Sequence, residues 1–189
     1  MNEQTIQLTQ SEKIGLGTKE IAKRIRNTLK EKYPNCKFSV RCEYYSGGSS
    51  ISISLMKSDF KVIKEFKDIP KEALDDFEQR RNSSKEIIQR EQNKKYHQLN
   101  RYTLRGDFNP LNWCNGVFLT EEGHNLFKDV VEISDQYNYD NSDSQIDYFD
   151  VNFYLHLGIG KWNKEFEEVN KCIDEFDLES KGWSKVEVI

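Results

Sequence analysis

Two stretches of strict two-residue alternation constrain this chain more than any other feature. In the first, Phe38, Val40 and Cys42 alternate with Lys37, Ser39, Arg41 and Glu43; past Gly47-Gly48, Ile51, Ile53 and Leu55 alternate with Ser50, Ser52 and Ser54. In the second, Phe149, Val151, Phe153, Leu155 and Leu157 alternate with Tyr148, Asp150, Asn152, Tyr154 and His156. Successive strand side chains point to opposite faces, so each stretch reads as a strand with one apolar and one polar side. The paired glycines can adopt the positive φ that a tight connection requires, making residues 37–56 a β-hairpin. Gly158 and Gly160 close the strand at 148–157.

Elsewhere the apolar period lengthens to that of a helix. Residues up to Gly17 read as a flexible leader, and Thr18 as the N-cap of a helix from Lys19 to Lys32 whose inner face is Ile21, Ile25 and Leu29. Tyr33-Pro34-Asn35 ends it. Residues 59–105 read as a broken helical insertion. Ser58 would cap a segment with Phe60, Ile63 and Phe66; Pro70 would open one with Ala73, Leu74 and Phe77; Ser83-Ser84-Lys85-Glu86 would be a capping box before Ile87-Ile88. Residues 106–116 read as a loop around Trp113, and Thr120 as the cap of a helix with Phe127, Val130 and Val131 inside. A last helix is predicted from about Asn163, through Phe166, Val169, Ile173 and Phe176, with Val186-Glu187-Val188 a short edge strand. The sum is an α+β domain over residues 18–189, with an antiparallel or mixed sheet whose apolar face is covered by helices.

The length suits one such domain, and 11 Phe, 9 Tyr and 3 Trp supply a core despite a polar composition. No apolar run has the length of a membrane span and the chain opens on polar residues, so a cytoplasmic location is expected, in the host cell if the protein comes from a phage. Cys36, Cys42, Cys114 and Cys172 form no Cys-x-x-Cys pair, so free thiols are expected and no metal. Charge is uneven: residues 1–106 carry 22 basic and 14 acidic side chains, residues 107–189 carry 6 and 18. Such asymmetry either orients a partner or draws the two halves together within the fold.

Four candidate sites follow. The polar sheet face would show Ser39, Arg41, Glu43, Ser50, Ser52, Ser54, Tyr148, Asp150, Asn152, Tyr154 and His156; aromatics supply contact area while small hydroxyls admit a partner's backbone. The competing reading is an ordinary solvated or helix-covered face. Arg80, Arg81, Lys85, Arg90, Lys94, Lys95, Arg101 and Arg105, interleaved with Tyr96, His97 and Tyr102, form a basic stretch suited to phosphates, or else a helix face neutralised by the acidic half. Residues 140–147 are rich in Asp, but a calcium loop needs Gly and Glu where Gln145 and Val151 stand, so Asx turns are the better reading. His97, His124 and His156 are isolated and no hydrolase or phosphate-loop motif occurs, so neither an enzyme nor a cofactor is expected; His156 with Asp150 and Tyr154 is the one acid–base group to name.

Tyr33-Pro34-Asn35-Cys36-Lys37-Phe38-Ser39-Val40-Arg41 with Tyr45-Ser46-Gly47-Gly48-Ser49-Ser50-Ile51, and later Tyr139-Asp140-Asn141-Ser142-Asp143 with Asp147-Tyr148-Phe149-Asp150-Val151-Asn152-Phe153-Tyr154, resemble a large polyvalent protein-associated domain, the twenty-ninth of that series, over residues 18–162. The resemblance implies a setting in phages, plasmids and conjugative elements, where such domains are often fused to other modules and are thought to act on entry against host defences. It carries no catalytic residues. The expected function is therefore that of a non-catalytic accessory protein inhibiting a host defence nuclease, of anti-CRISPR or anti-restriction type, by protein binding; the alternative is a DNA- or RNA-binding module using the basic insertion.

Overall fold

The structure is a computed structural model that describes residues 13, 15–143, 145–146 and 150–168. Its elements run α1 (Thr18–Lys32), β1 (Lys37–Tyr45), β2 (Gly48–Ser58), a single 3-10 turn (Phe66–Asp68), α2 (Lys71–Arg81), α3 (Lys85–Gln92), β3 (His97–Leu99), α4 (Glu121–Asp135), β4 (Tyr154–Ile159) and β5 (Glu167–Glu168). The sheet is mixed, in the order β1-β2-β4-β3, with β5 continuing along β2. β1 and β2 are antiparallel, β2 and β4 parallel, β3 and β4 antiparallel. The α+β class and the hairpin expected from the alternation are what the chain adopts.

Side-chain parity explains the layering. Ile51, Ile53 and Leu55 of β2 are wholly buried, as are Ile21, Ile25 and Leu29 of α1, and the two sets share one core with Phe127, Val130 and Val131 of α4. Each such side chain contributes about 1.5–3 kcal/mol on leaving water. Thr18 is not a cap: Gly17 holds that position, while the buried Thr18 hydroxyl is 2.8 Å from Ser49 Oγ and ties the helix start to β2. Thr120 does cap α4, accepting from Gly123 N at 3.0 Å while donating to Lys61 O at 2.6 Å. Gly123 is required there, because a Cβ would lie 2.4 Å from the Val62 carbonyl oxygen.

The insertion differs from the helical reading in two places. Residues Phe60 to Lys64 are not helical; Ile63 bridges Leu119 and Lys64 N donates to Phe118 O, because the extended backbone finds a partner in the segment leading to α4. Ser58 instead makes a local turn with Phe60. Residues 97–99 are strand β3, not insertion. The remaining helices behave as read: Ala73, Leu74 and Phe77 of α2 and Ile88 of α3 bury a satellite core with Ile69 and Phe118, and half-buried Trp113 packs edge-on against Phe77 at 4.9 Å. The expected capping box does not form: α3 starts after Ser84, which makes no side-chain cap bond, the Ser83 hydroxyl donates to the Arg81 carbonyl, and the Ser84 hydroxyl instead meets the Glu86 carboxylate and holds it below the usual carboxylate range.

At the other end, β4 starts at Tyr154 and runs to Ile159, later than the alternation implied, since residues 150–152 pair with a loop instead: Asn141 N donates to Asp150 O and Asn152 N to Tyr139 O. Asp140 and Asp143 make the expected Asx turns, accepting from Ser142 N and Gln145 N. Residues 163–168 are not helical; Lys161 and Lys164 close a tight turn and Glu167–Glu168 pair with Lys57–Ser58. Val169, Ile173, Phe176, Cys172 and the predicted strand at 186–188 lie outside the described residues, as does most of the leader. Of the leader's end, Lys13 donates to the Asn138 carbonyl at 3.2 Å and Leu16 packs on the main core. Among the described residues no helix is long and apolar enough to cross a membrane.

Candidate functional site: the polar face of the sheet

The register of β1, β2, β4 and β3 writes out the polar face row by row. Arg41 lies beside Ser52 and Ser52 beside His156; Glu43 beside Ser50 and Ser50 beside Tyr154; Ser39 beside Ser54, then Gly158, then Gln98. Arg41, Glu43, Gln98, Tyr154 and His156 are exposed, and Ser52 and Ser54 partly so. Among the described residues the helices occupy the opposite, apolar side, and no described helix crosses the middle of this face. Serine and glycine keep its floor low. Tyr96 leans over Gly158, within 3.7 Å of where a Cβ would stand, and Tyr45 and Tyr154 meet over Gly48 with ring centroids 6.5 Å apart. A shallow surface with aromatic walls and a cationic flank results.

Of the residues read from the sequence, Arg41, Ser52, Ser54, Tyr154 and His156 come together as expected. Ser50 is on the same face but only 4% exposed, so it contributes smallness rather than contact. Asp150 and Asn152 do not join them. Asp150 accepts from the Tyr139 hydroxyl, committing it to the loop after α4, and Asn152 donates to the carbonyls of Tyr137 in that loop and of Lys13 ahead of α1. Tyr148 lies outside the described residues.

The basic insertion is less available than its composition suggests. Arg80 pairs with Asp76 and stacks over Trp113; Lys85 faces Asp75 and Glu78; Lys94 pairs with Glu91 and Lys95 with Glu165. Arg101 and Arg105 share Asp135. Arg81 and Arg90 have no ion pair among the described residues. The bridges Lys32–Asp129, Lys95–Glu165, Arg101–Asp135 and Arg105–Asp135 each join the basic half to the acidic half, so part of the charge asymmetry is satisfied inside the molecule. The histidines remain apart. His97 is buried on the apolar side, where desolvation lowers its pKa; His124 lies 3.1 Å from the Gly106 carbonyl, its pKa also lowered mainly by burial; His156 is exposed.

Sequence reasoning missed Tyr45, Tyr96 and Gln98 on this face, and missed Lys161, Trp162 and Lys164 at its end. The signal for the last three was the Gly158-x-Gly160 pair directly before Lys161-Trp162-Asn163-Lys164, a place for a turn rather than for a helix start.

A family model described as large polyvalent protein associated domain 29 matches residues 16–112, from α1 through the hairpin, the insertion and β3 into the following loop. The match takes in the first of the two sequence motifs, around residues 33–51, and ends before the second. No curated protein and no solved structure is similar to the chain.

Proposed function

Because this chain belongs to the large polyvalent protein-associated domain 29 family, we propose that it is a non-catalytic binding module whose working surface is the open polar face of the sheet, and that it inhibits a host defence nuclease of restriction or CRISPR type. The single observation supporting this reading is that Arg41, Tyr154 and His156 stand exposed together on a face that no helix covers among the described residues. Exposed arginine and tyrosine on a low floor are the residue types that dominate protein interfaces. The separation of the three histidines supports binding over catalysis, since a nucleophile or general acid needs an oriented partner. The family setting in phages, plasmids and conjugative elements supports a partner from host defence.

The double variant Arg41→Glu/His156→Glu should test it. Both side chains are exposed, so the fold should survive. The wild-type chain is expected to inhibit a purified restriction or CRISPR nuclease, and the variant to need at least about tenfold more protein for equal inhibition. Full inhibition by the variant would remove the sheet face from the account; absence of inhibition and of capture by the wild-type chain would remove the function.

A further inference from the structure

At the free edge of β1, reaching from the polar face round to the α1 side, the chain builds a groove of about 710 Å³. Gly160 makes it. This residue ends β4 with φ +68, donates its N–H to Leu55 O at 2.8 Å, and turns the chain across β2 and β1. Residues 161–164 then close on themselves, Lys161 N donating to Lys164 O at 2.7 Å and Lys164 N to Lys161 O at 3.1 Å. Lys161 Nζ reaches the Ser39 hydroxyl. Across the gap stand Lys37, Arg41 and Lys57, and from α1 comes Arg26, held by its bond to the Val40 carbonyl at 2.7 Å. Six cations therefore line one groove over a floor that includes Phe38 and Met56, against one carboxylate, Glu167.

Two features distinguish this cluster from the basic insertion. None of its six cations has an ion pair among the described residues, whereas six of the eight in the insertion do. Burial and the neighbouring Arg41 and Lys164 push the Lys161 pKa down. The second feature is Trp162, which projects from the turn between the two lysines and is 93% exposed. A tryptophan in water beside cations that have no ion pair among the described residues has an aromatic face to offer to a partner.

We propose that this groove binds the phosphodiester backbone of a single-stranded nucleic acid, with Lys161, Lys164, Lys37, Arg41, Lys57 and Arg26 neutralising phosphates and Trp162 stacking on a base. Cations that track a backbone, next to an aromatic ring open to stacking, form the general arrangement for single strands. An acidic protein segment would use the cations and leave Trp162 without a role. A duplex would leave the ring without an unstacked base. Tyr154 and Tyr45 lie further along the same face, about 13 Å from the groove at the strand rise per residue, in position to take a following base. The inference rests on the preceding reading only in that the polar face is open; it concerns the isolated chain and a different ligand.

The test is fluorescence anisotropy of the full chain with labelled single-stranded DNA and RNA oligonucleotides, the corresponding duplexes, and polyglutamate. Single strands are expected to bind more tightly than duplex or polyglutamate, and to lose on the order of 100-fold in affinity between about 50 and about 200 mM salt, as several phosphate contacts require. Lys161→Glu/Lys164→Glu should weaken binding by about 100-fold or more. Trp162→Ala should weaken it about tenfold, with Trp162→Phe keeping most of the affinity, because stacking needs only a ring. The Lys67→Glu/Lys71→Glu control, the same charge change on the insertion, should stay within about threefold. If the double variant at the turn fails to fold by circular dichroism, the Trp162 pair decides alone, its ring having no core to lose. No binding at low salt, binding insensitive to Trp162→Ala, an equal loss in the control, or polyglutamate bound as tightly as the oligonucleotides would each overturn the proposal, the last in favour of an acidic protein partner.

Discussion

Replacing Gln92 with leucine should lower the unfolding free energy by about 3 kcal/mol, since two buried backbone groups would lose their partner at about 1–3 kcal/mol each. Gln92 ends α3 and is 3% exposed. Its amide donates to the carbonyls of Lys64 and Phe118, both at 2.8 Å, and its side-chain oxygen accepts from Phe118 N at 2.9 Å. The Phe118 carbonyl keeps a second donor in Lys64 N; the Lys64 carbonyl and the Phe118 amide have no hydrogen-bond partner but Gln92 among the described residues. Leucine fills similar space and adds apolar area, but that gain is about 1–2 kcal/mol at most and does not offset the orphaned pair. Gln89→Leu, one turn earlier and exposed, should stay within about 0.5 kcal/mol. Urea unfolding of both variants decides it. A loss below about 1 kcal/mol for Gln92→Leu would mean that the insertion is not stitched to the rest of the molecule through this side chain.

Gly160→Ala should cost about as much, for a different reason, and should also damage the groove. A left-handed φ costs a residue with a Cβ roughly 1–2 kcal/mol, and here the Cβ would also meet the Lys95 carbonyl oxygen at 2.4 Å. Backbone on both sides must then move, which adds about 1–3 kcal/mol. An alanine elsewhere in the chain usually gains a few tenths of a kcal/mol over glycine from the unfolded state, too little to change the sign. The expected result is a loss of about 3 kcal/mol in urea unfolding, with oligonucleotide affinity reduced in the surviving folded fraction because residues 161–164 no longer cross the sheet. A variant as stable as the wild type would contradict the geometry of this turn.

Much of the fold was legible because alternation reports side-chain direction. Ile51, Ile53 and Leu55 opposite Ser50, Ser52 and Ser54 defined both faces of β2, and Ile21, Ile25 and Leu29 defined the inner side of α1. What alternation does not report is the hydrogen-bond partner. Residues 150–153 alternate as Tyr154 to Ile159 do, yet their backbone is taken by residues 138–141, so Asp150 and Asn152 leave the face. Phe60, Ile63 and Phe66 have helical spacing but occur in a segment that pairs with residues 118–120. β3 has three residues, too few for any period to show. The groove was illegible for a further reason: its cations come from α1, both strands of the hairpin and the turn after β4, and only the parallel pairing of β2 with β4 brings them together. The basic insertion, contiguous in sequence, stood out by composition while its charges were being matched by local carboxylates and by Asp135 and Glu165.

The central claim is that the polar side of the sheet is an open working face and that the described helices lie on the other. A soluble paramagnetic agent added during nuclear magnetic resonance measurements tests it directly, since it broadens only protons that solvent reaches. The ring protons of Tyr154 and His156 and the side chain of Gln98 should broaden strongly, while those of Phe153, Leu157 and Leu99, their neighbours in sequence, should remain sharp. Protection of both sets alike would mean that the face is covered and the proposed surface does not exist.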